Sequence, residues 1–198
     1  TKAPDAKGWL PLHCAVASKA PLEVVKRLIE SYPEGCNQKD NVDLIPVELA
    51  MKRGAPLHVI EMLIKYSPEK VAKMKWSRLH ILSASSGAPL RFIMDELRNH
   101  PKAATEVDDD GRLPLHLATL SGKPLIVVKA ILEVNPNGAT SRDIIGRPMA
   151  KDGWEGGGRT PLHYAARSCA PDVIKLLLTS AKESASIRDE NGSVPLYF

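Results

Sequence analysis

Histidine gives this chain its widest choice of chemistry, because an imidazole binds zinc and acts as a general acid or base near neutral pH. Four histidines each follow a leucine and recur far apart along the chain. If they hold equivalent places on neighbouring helices, their rings lie ~10 Å apart. Zinc needs nitrogens within about 2.1 Å of one ion, so we predict no shared metal site and no cofactor. The four residues are His13, His80, His116 and His163.

A catalytic nucleophile is not predicted either. Cys14 directly follows His13, but adjacent residues of a helix point about 100° apart and do not face each other. No G-x-S-x-G motif is present in the sequence. Gly156–Gly158 resemble a phosphate-binding loop only in their glycines, since the Gly-Lys-Ser/Thr ending is missing. We therefore predict that this run is a flexible hairpin and that the chain is not an enzyme.

Two charged segments could bind ions or partners. Asp108, Asp109 and Asp110 lack the alternating D-x-D-x-D-G spacing of a calcium loop, so we predict a solvated turn tip or a charge complement for a basic partner. The segment from Lys65 to Arg78 carries five basic side chains. It predicts either a solvated loop or a docking surface for an acidic peptide, an anionic lipid or a nucleic acid.

The elements that position these residues follow from a repeated phrase. Its fullest form is Thr-Pro-Leu-His-Tyr-Ala, from Thr160 to Ala165. We call its second position the anchor. Anchors fall at residues 11, 46, 78, 114, 161 and 195, so the intervals are 35, 32, 36, 47 and 34 residues. Internal repeats of this period indicate stacked supersecondary units.

Two further phrases keep a fixed order around the anchors. After each of the first five anchors comes Ala-Pro-Leu or a close variant, whose proline lies ten or eleven residues beyond the anchor. An Asp-x-x-Gly turn stands before three of the six anchors. The Ala-Pro-Leu phrase and its variants begin at Ala20, Ala55, Ala88, Lys123 and Ala170. The Asp-x-x-Gly turns are Asp5–Gly8, Asp108–Gly111 and Asp189–Gly192.

With its T-P-L-H-x-A phrase and a period close to ~33 residues, the chain resembles the ankyrin-repeat family. The resemblance covers nearly all of residues 5–198 and implies an all-α ankyrin-repeat solenoid of stacked helix-turn-helix units with hairpin-like loops. It also implies that the anchor histidine hydrogen-bonds backbone groups and fixes the loop. Glu48 replaces this histidine in the second repeat and Arg78 replaces the proline in the third. The predicted repeats in this single domain are 5–36, 37–69, 70–104, 105–138, 152–186 and a partial 187–198, with an insertion at about 141–156.

Each unit is expected to contain two helices. The anchor proline suits the first position of a helix, where its missing N–H is not needed, and a second helix is expected to start at the next proline. Apolar residues then recur at helical spacing, as in Val173, Ile174, Leu177 and Leu178. No unit buries enough apolar surface alone, so stability comes from stacking.

Composition limits the remaining functions. The net charge of +4 comes entirely from residues 1–100, which hold 15 basic and 11 acidic residues against 12 of each in the rest. A nucleic-acid binder usually has a stronger basic footprint, so this partner is not favoured. The three cysteines form no CxxC pair, which predicts reduced thiols in an intracellular protein of the cytoplasm or nucleus, with an organelle left open. No apolar stretch approaches the ~18 residues of a membrane span.

The 47-residue interval is the main irregularity. It contains an apparent aborted repeat start at residues 143–149 and about 13 additional residues, including Trp154. Insertions in repeat proteins often lie on the binding face, and Trp, Tyr and Arg are enriched at interface hot spots. We hypothesise that Trp154, Arg159, Tyr164 and Arg167 anchor an extended or helical peptide. The alternative is that Tyr164 packs on neighbouring helices and Trp154 covers the insertion. Other predicted contacts on the concave helix face are Lys52, Arg53, Leu117 and Leu120.

The sequence therefore predicts a protein–protein interaction module, an adaptor or recognition scaffold, that binds another protein or peptide through hairpin tips and the concave helix face. Two alternatives stay open: a non-catalytic targeting arm of a larger enzyme, and a binder of anionic surfaces or nucleic acid through Lys65–Arg78. The apolar end Val194–Phe198 stops within a repeat. We expect it to continue into a longer array or to stack on another copy.

Overall fold

The computed structural model describes residues 3–144, 157–168 and 170–195, and within these residues it contains eleven α-helices and no strand. The chain divides into two compact units, Thr1–Met74 with Ala84–Gly87 and Lys75–Ser83 with Ala88–Phe198. Helix pairs stack in each unit, which confirms the predicted all-α repeat fold. None of the helices in the described ranges has the length and apolar character needed to span a membrane.

In the first unit, two short helices begin at anchor prolines and pack side by side: α1 (Pro11–Ala17) and α3 (Pro46–Lys52). Two longer helices, α2 (Leu22–Ser31) and α4 (Leu57–Tyr66), pack together behind them. A single-turn helix, α5 (Pro68–Val71), follows. We refer to the short and long helices of each repeat as first and second helices.

The second unit continues the same arrangement over three repeats. Its first helices are α6 (Arg78–Ala84, the last residue being grouped with the first unit), α8 (Pro114–Leu120) and α10 (Pro161–Arg167). Its second helices are α7 (Leu90–Asn99), α9 (Leu125–Val134) and α11 (Pro171–Ser180), and α9 contacts both of the others. Short 3-10 helices follow the second helices at Pro33–Asn37, Pro101–Thr105, Pro136–Ala139 and Lys182–Ser186.

The start of the second helices differs from the prediction in one respect. Four of them begin at the leucine after the proline, because the proline itself has an extended ψ and serves as the N-cap. The fifth begins at Pro171, after Ala170 as N-cap. The turn before it is therefore one residue shorter than the turns before α2, α4 and α9, and Pro171 holds the first helical position that leucine holds in the other second helices.

Candidate functional site

Aspartate-centred turns form the tips between repeats, and Asp108–Gly111 shows their geometry. The Asp108 amide donates to the Arg112 carbonyl at 2.9 Å, and the Gly111 amide donates to the Asp108 carbonyl at 3.0 Å. The Asp108 carboxylate accepts the amides of Asp110 and Arg112 at 2.9 and 2.8 Å. Gly111 has φ +70°, a conformation that glycine adopts without steric cost. The same bonds hold the turns that begin at Asp5, Asp40 and Asp189.

The turn at Asp143 is closed in the same way by residues far along the chain. The Asp143 amide donates to the Arg159 carbonyl at 3.0 Å, and the Gly158 amide donates to the Asp143 carbonyl at 3.3 Å. The Asp143 carboxylate accepts the Arg159 amide at 2.7 Å. Gly158, with φ +75°, therefore takes the place that Gly111 holds in the turn of Asp108.

Bonds to neighbouring turns locate the insertion more closely. The Ile144 amide donates to the Asp110 carbonyl at 2.9 Å, and the Glu190 amide donates to the Gly157 carbonyl at 3.1 Å. In the first unit the Asn41 amide donates to the Lys7 carbonyl at 3.0 Å, which joins the second residue of one turn to the third of the preceding turn. By this register Ile144 and Gly157 are the second and third residues of one turn. Residues 145–156 are then the insertion, and Asp143 and Ile144, which sequence reasoning assigned to it, belong to the turn.

Deleting residues 145–156 should leave the fold intact and stabilise it. Joining Ile144 to Gly157 restores an ordinary four-residue turn, Asp143-Ile144-Gly157-Gly158. It also shortens the connection inside that turn from fourteen residues to two, which lowers the closure entropy by about 2 kcal/mol. Urea unfolding followed by circular dichroism measures the change.

The matched control replaces residues 145–156 with twelve glycine and serine residues, which keeps the loop length and should leave the free energy of unfolding close to that of the parent chain. A deletion variant less stable than this control would show that the assigned register is wrong.

The anchor histidines tie each first helix to the next turn. Nδ1 of His116 accepts the Leu113 amide at 3.0 Å, and Nε2 lies 3.0 Å from the Ser141 carbonyl, to which it can only donate. His13, His80 and His163 repeat both contacts, as the family resemblance implied. Burial lowers the pKa of His80 and of His116 to about 4. Glu48, which replaces the histidine in the second repeat, accepts the Ile45 amide at 2.9 Å.

Three of the predicted contact residues are buried, which corrects their expected place on the surface. Tyr164 is 5% exposed and its hydroxyl donates to the Asp143 carboxylate at 2.5 Å. Arg159 is 6% exposed and its Nε lies 3.4 Å from the buried Asp189 carboxylate. Leu117 is buried in α8. Burial, with Asp143 as a second cause, raises the pKa of Tyr164 well above its usual value, so the hydroxyl stays a donor and positions the turn.

The other predicted contacts lie in different places. Arg167 is exposed at the end of α10 and Leu120 is half-buried at the end of α8. Lys52 and Arg53 are half-buried at the end of α3, in the first unit. Trp154 lies outside the described residues. In the second unit, serines link successive first helices: the Ser121 hydroxyl donates to the Ser83 carbonyl at 2.6 Å, and the Ser168 hydroxyl donates to the Thr119 carbonyl at 3.4 Å.

Sequence reasoning did not single out Ile144 as a contact. Its side chain is 61% exposed, although its amide is held by Asp110. The same side chain occupies the space where a Cβ of residue 111 would lie. Ile144 is therefore an apolar side chain fixed on a hydrogen-bonded turn. The sequence did carry a signal for this contact. Ile144 directly follows the turn aspartate Asp143, whereas the polar residues Asn41 and Glu190 hold the same place after Asp40 and Asp189.

The acidic triplet lies at a turn tip, but only one of its three side chains, Asp109, is exposed there. Asp108 is buried by the turn that it organises, and Asp110 pairs with Arg112. Asp109 is exposed, and its carboxylate accepts the Lys75 amide at 3.2 Å.

The described residues contain no cluster of His, Cys, Asp and Glu suited to a metal ion. Burial raises the pKa of the Cys36 thiol to about 11, and burial also raises that of Cys14. Both thiols are therefore protonated and poorly nucleophilic at neutral pH.

Comparison with known proteins agrees with the helix pairs and the turns. Residues 79–191 match the family described as "Ankyrin repeats (3 copies)", and residues 7–41 match a single "Ankyrin repeat". No curated protein matches the chain significantly. Because the first match alone spans more than half of the 198 residues, and because its repeats carry the anchor histidines and aspartate turns described above, the chain belongs to the ankyrin-repeat family.

Proposed function

We propose that this chain is an adaptor or recognition scaffold that binds a partner protein through its turn tips and the surface of its first helices. Ankyrin repeats are generally protein–protein interaction modules. The observation that carries it is the exposure of Ile144, a largely exposed apolar side chain on a turn whose four backbone amides all donate hydrogen bonds. An apolar residue that is already fixed loses little conformational entropy when it is buried by a partner.

The remaining proposed contacts are accessible residues of types that favour protein interfaces. In the second unit, the exposed Arg167 and the half-buried Leu120 both lie at the ends of first helices. Arginine is enriched at interface hot spots. In the first unit, Lys52 holds the equivalent position and Arg53 directly follows it, and the two basic residues favour an acidic stretch of the partner. Trp154 stays a proposed contact on sequence grounds.

Arg159, Tyr164 and Leu117 have a supporting role in this proposal. Tyr164 bonds the carboxylate of Asp143, and Asp143 in turn fixes the residue that follows it, Ile144. Substituting Tyr164 is therefore expected to act on binding through the position of the turn, and it should lower stability as well.

The test compares baits that differ only at the surface. Each bait is immobilised and incubated with cell lysate, and the retained proteins are quantified by mass spectrometry. The baits are the parent chain, the single variant Ile144→Asp and the double variant Leu120→Asp/Arg167→Glu. The matched control is Ile126→Asp, which changes another isoleucine, 52% exposed, on the second helix α9. We expect a protein retained by the parent and the control to be lost from both test baits. Equal retention by all four folded baits would rule out this surface.

A further inference from the structure

The loop between the first and second helices contains a left-handed residue in the first four repeats. Gly54, Gly87 and Gly122 hold this place with φ between +62° and +71°, a region that glycine enters without steric cost. The amides of Gly54 and Gly122 donate to the carbonyl three residues earlier, at 3.2 and 3.3 Å. Lys19 makes the same bond at 3.2 Å in the first repeat and has φ +55°. A lysine therefore stands where the fold favours glycine.

Lysine is unfavourable for the backbone at this place. In a left-handed residue the Cβ crowds the carbonyl oxygen that follows, so Lys19 destabilises its loop relative to glycine. Residues in such sparsely populated conformations gather at ligand sites, where the side chain has a task that offsets the strain. Lys19 adds a long side chain that ends in a positive charge, so its task depends on where this ammonium lies.

The Lys19 ammonium lies beside the corresponding loop of the second repeat. Its Nζ is 3.9 Å from the place where a Cβ of residue 54 would be. The helices that the two loops follow, α1 and α3, pack side by side. Lys52 and Arg53 directly precede Gly54 at the end of α3. Three basic residues from two repeats thus meet at one edge of the first unit, and we call Lys19, Lys52 and Arg53 the basic edge.

Acidic residues are scarce around the basic edge. Residues 6–22 and 49–60, which include both loops, contain no aspartate or glutamate. Glu48 lies in the first turn of α3, where its carboxylate accepts the Ile45 amide. Glu23, in α2, lies 3.5 Å from the Arg27 guanidinium. The basic edge therefore has an excess of positive charge, which attracts an anion.

We propose that the basic edge binds an oxyanion of the partner protein, either the carboxylates of an acidic segment or the phosphate of a phosphoserine. This site rests on the proposed function, because Lys52 and Arg53 are already proposed contacts for an acidic stretch, and Lys19 is the residue that completes it. Carboxylates and phosphates each offer several acceptor oxygens at one point. Lysine and arginine donate charge-assisted hydrogen bonds to them, which are stronger than neutral ones.

The test titrates two heptapeptides into the isotope-labelled chain and follows the NMR signals of the Lys19, Arg53 and Gly54 amides. One peptide is Gly-Ser-Glu-Glu-Glu-Ser-Gly, and the other carries phosphoserine at the centre of Gly-Ser-Gly-Ser-Gly-Ser-Gly. We expect saturable shifts at these amides with at least one peptide, and the peptide that binds more tightly identifies the oxyanion. The second peptide without its phosphate should cause no shift. If neither acidic peptide gives a saturable shift at these amides, the proposal is overturned.

Substitutions at Lys19 separate the charge from the backbone strain. Lys19→Gly removes the ammonium and relieves the left-handed strain, so the peptide affinity should fall about tenfold while the urea midpoint of unfolding rises. Lys19→Gln removes the charge and keeps the strain, so the affinity should fall equally with little change in the midpoint. Lys19→Arg keeps the charge and should bind within about threefold of the parent chain. A lysine with only a structural role would not lose affinity as the chain becomes more stable.

The charge control is Lys26→Gln, which removes an exposed lysine from α2 and should change the peptide affinity by less than about twofold. Equal losses in Lys26→Gln and Lys19→Gln would mean that net charge alone holds the peptide, which overturns the site. A single-stranded DNA that binds more tightly than both peptides and depends equally on Lys19 overturns it too, because the occupant is then a nucleic acid. The Ile144→Asp and Leu120→Asp/Arg167→Glu baits do not alter the basic edge. Partner loss in those baits without peptide binding here would therefore overturn this site alone and leave the proposed function standing.

Discussion

Lowering the pH from 7 to 5 should destabilise the second unit steeply, because His80 and His116 are buried as neutral rings. Burial, with a smaller effect of the Arg112 charge, lowers the pKa of both to about 4 from an ordinary 6.5. In each ring Nδ1 accepts a backbone amide, at 3.2 Å from Ser77 and 3.0 Å from Leu113. A proton on Nδ1 would remove that acceptor, so the native state resists protonation.

Above pH 6.5 both histidines are neutral in the folded and the unfolded chain, and their contribution to stability is fully present. As the pH falls below 6.5, only the unfolded chain takes up protons, so the free energy of unfolding falls until about pH 4. The full loss is about 3 kcal/mol for each histidine, of which more than half should be reached at pH 5.

Urea unfolding at closely spaced pH values between 7 and 5 measures this loss, in a range where most carboxylates stay ionised. His116→Gln should be less stable at pH 7, and its stability should vary less with pH because one of the buried histidines with a lowered pKa is gone. His100→Gln changes an exposed histidine and is measured beside it as the substitution control. If His116→Gln and the parent chain share one slope, His116 is not held neutral in the way described.

The fold was predictable because its signals are local and repeated. Prolines at the first position of α1, α3, α8 and α10, and a histidine two residues later in all but α3, recur with a fixed spacing. Each copy therefore supports the interpretation of the others. One turn escaped the pattern: the turn that begins at Asp40 places Asp43, with φ +68°, where the other turns have glycine. Aspartate tolerates this conformation better than most residues, but a sequence search for glycine does not find it.

The candidate site was less predictable because it depends on contacts between distant residues. Arg159 and Tyr164 are residue types that favour interfaces, and sequence alone gives no sign of the carboxylates that bury them. Asp189 lies 30 residues beyond Arg159, and Asp143 lies 21 residues before Tyr164. The bounds of the insertion could not be predicted for the same reason. Gly146 and Gly158 both precede an arginine, so either could close the turn of Asp143. Only the hydrogen bonds identify Gly158 as the residue that does so.

Asp143→Ala should lower the free energy of unfolding by about 3 kcal/mol. The carboxylate is buried and accepts both the Arg159 amide and the Tyr164 hydroxyl. Alanine would leave these two buried donors without their acceptor, and each unsatisfied donor costs about 1–3 kcal/mol. Tyr164→Phe removes only one of the two bonds and should cost about half as much.

Asp5→Ala is the control, because the Asp5 carboxylate also accepts two donors, the amides of Lys7 and Trp9 at 2.8 Å, but is exposed to water. The Trp9 amide holds the place that the Arg159 amide holds in the turn of Asp143. It should cost no more than about 1 kcal/mol, since water replaces the lost acceptor. Equal losses for Asp5→Ala and Asp143→Ala in urea unfolding would mean that burial of the Asp143 carboxylate adds nothing.

Combining Asp143→Ala with the deletion of residues 145–156 separates the two tasks of this carboxylate. In the parent chain it satisfies buried donors and also holds together the ends of a fourteen-residue connection. In the deletion variant the short turn holds its own ends, so only the first task is left, and the substitution should cost less than in the parent chain. If Asp143→Ala lowers the free energy of unfolding equally in both backgrounds, the carboxylate acts only through Tyr164 and Arg159. The insertion then does not weaken the turn that carries it.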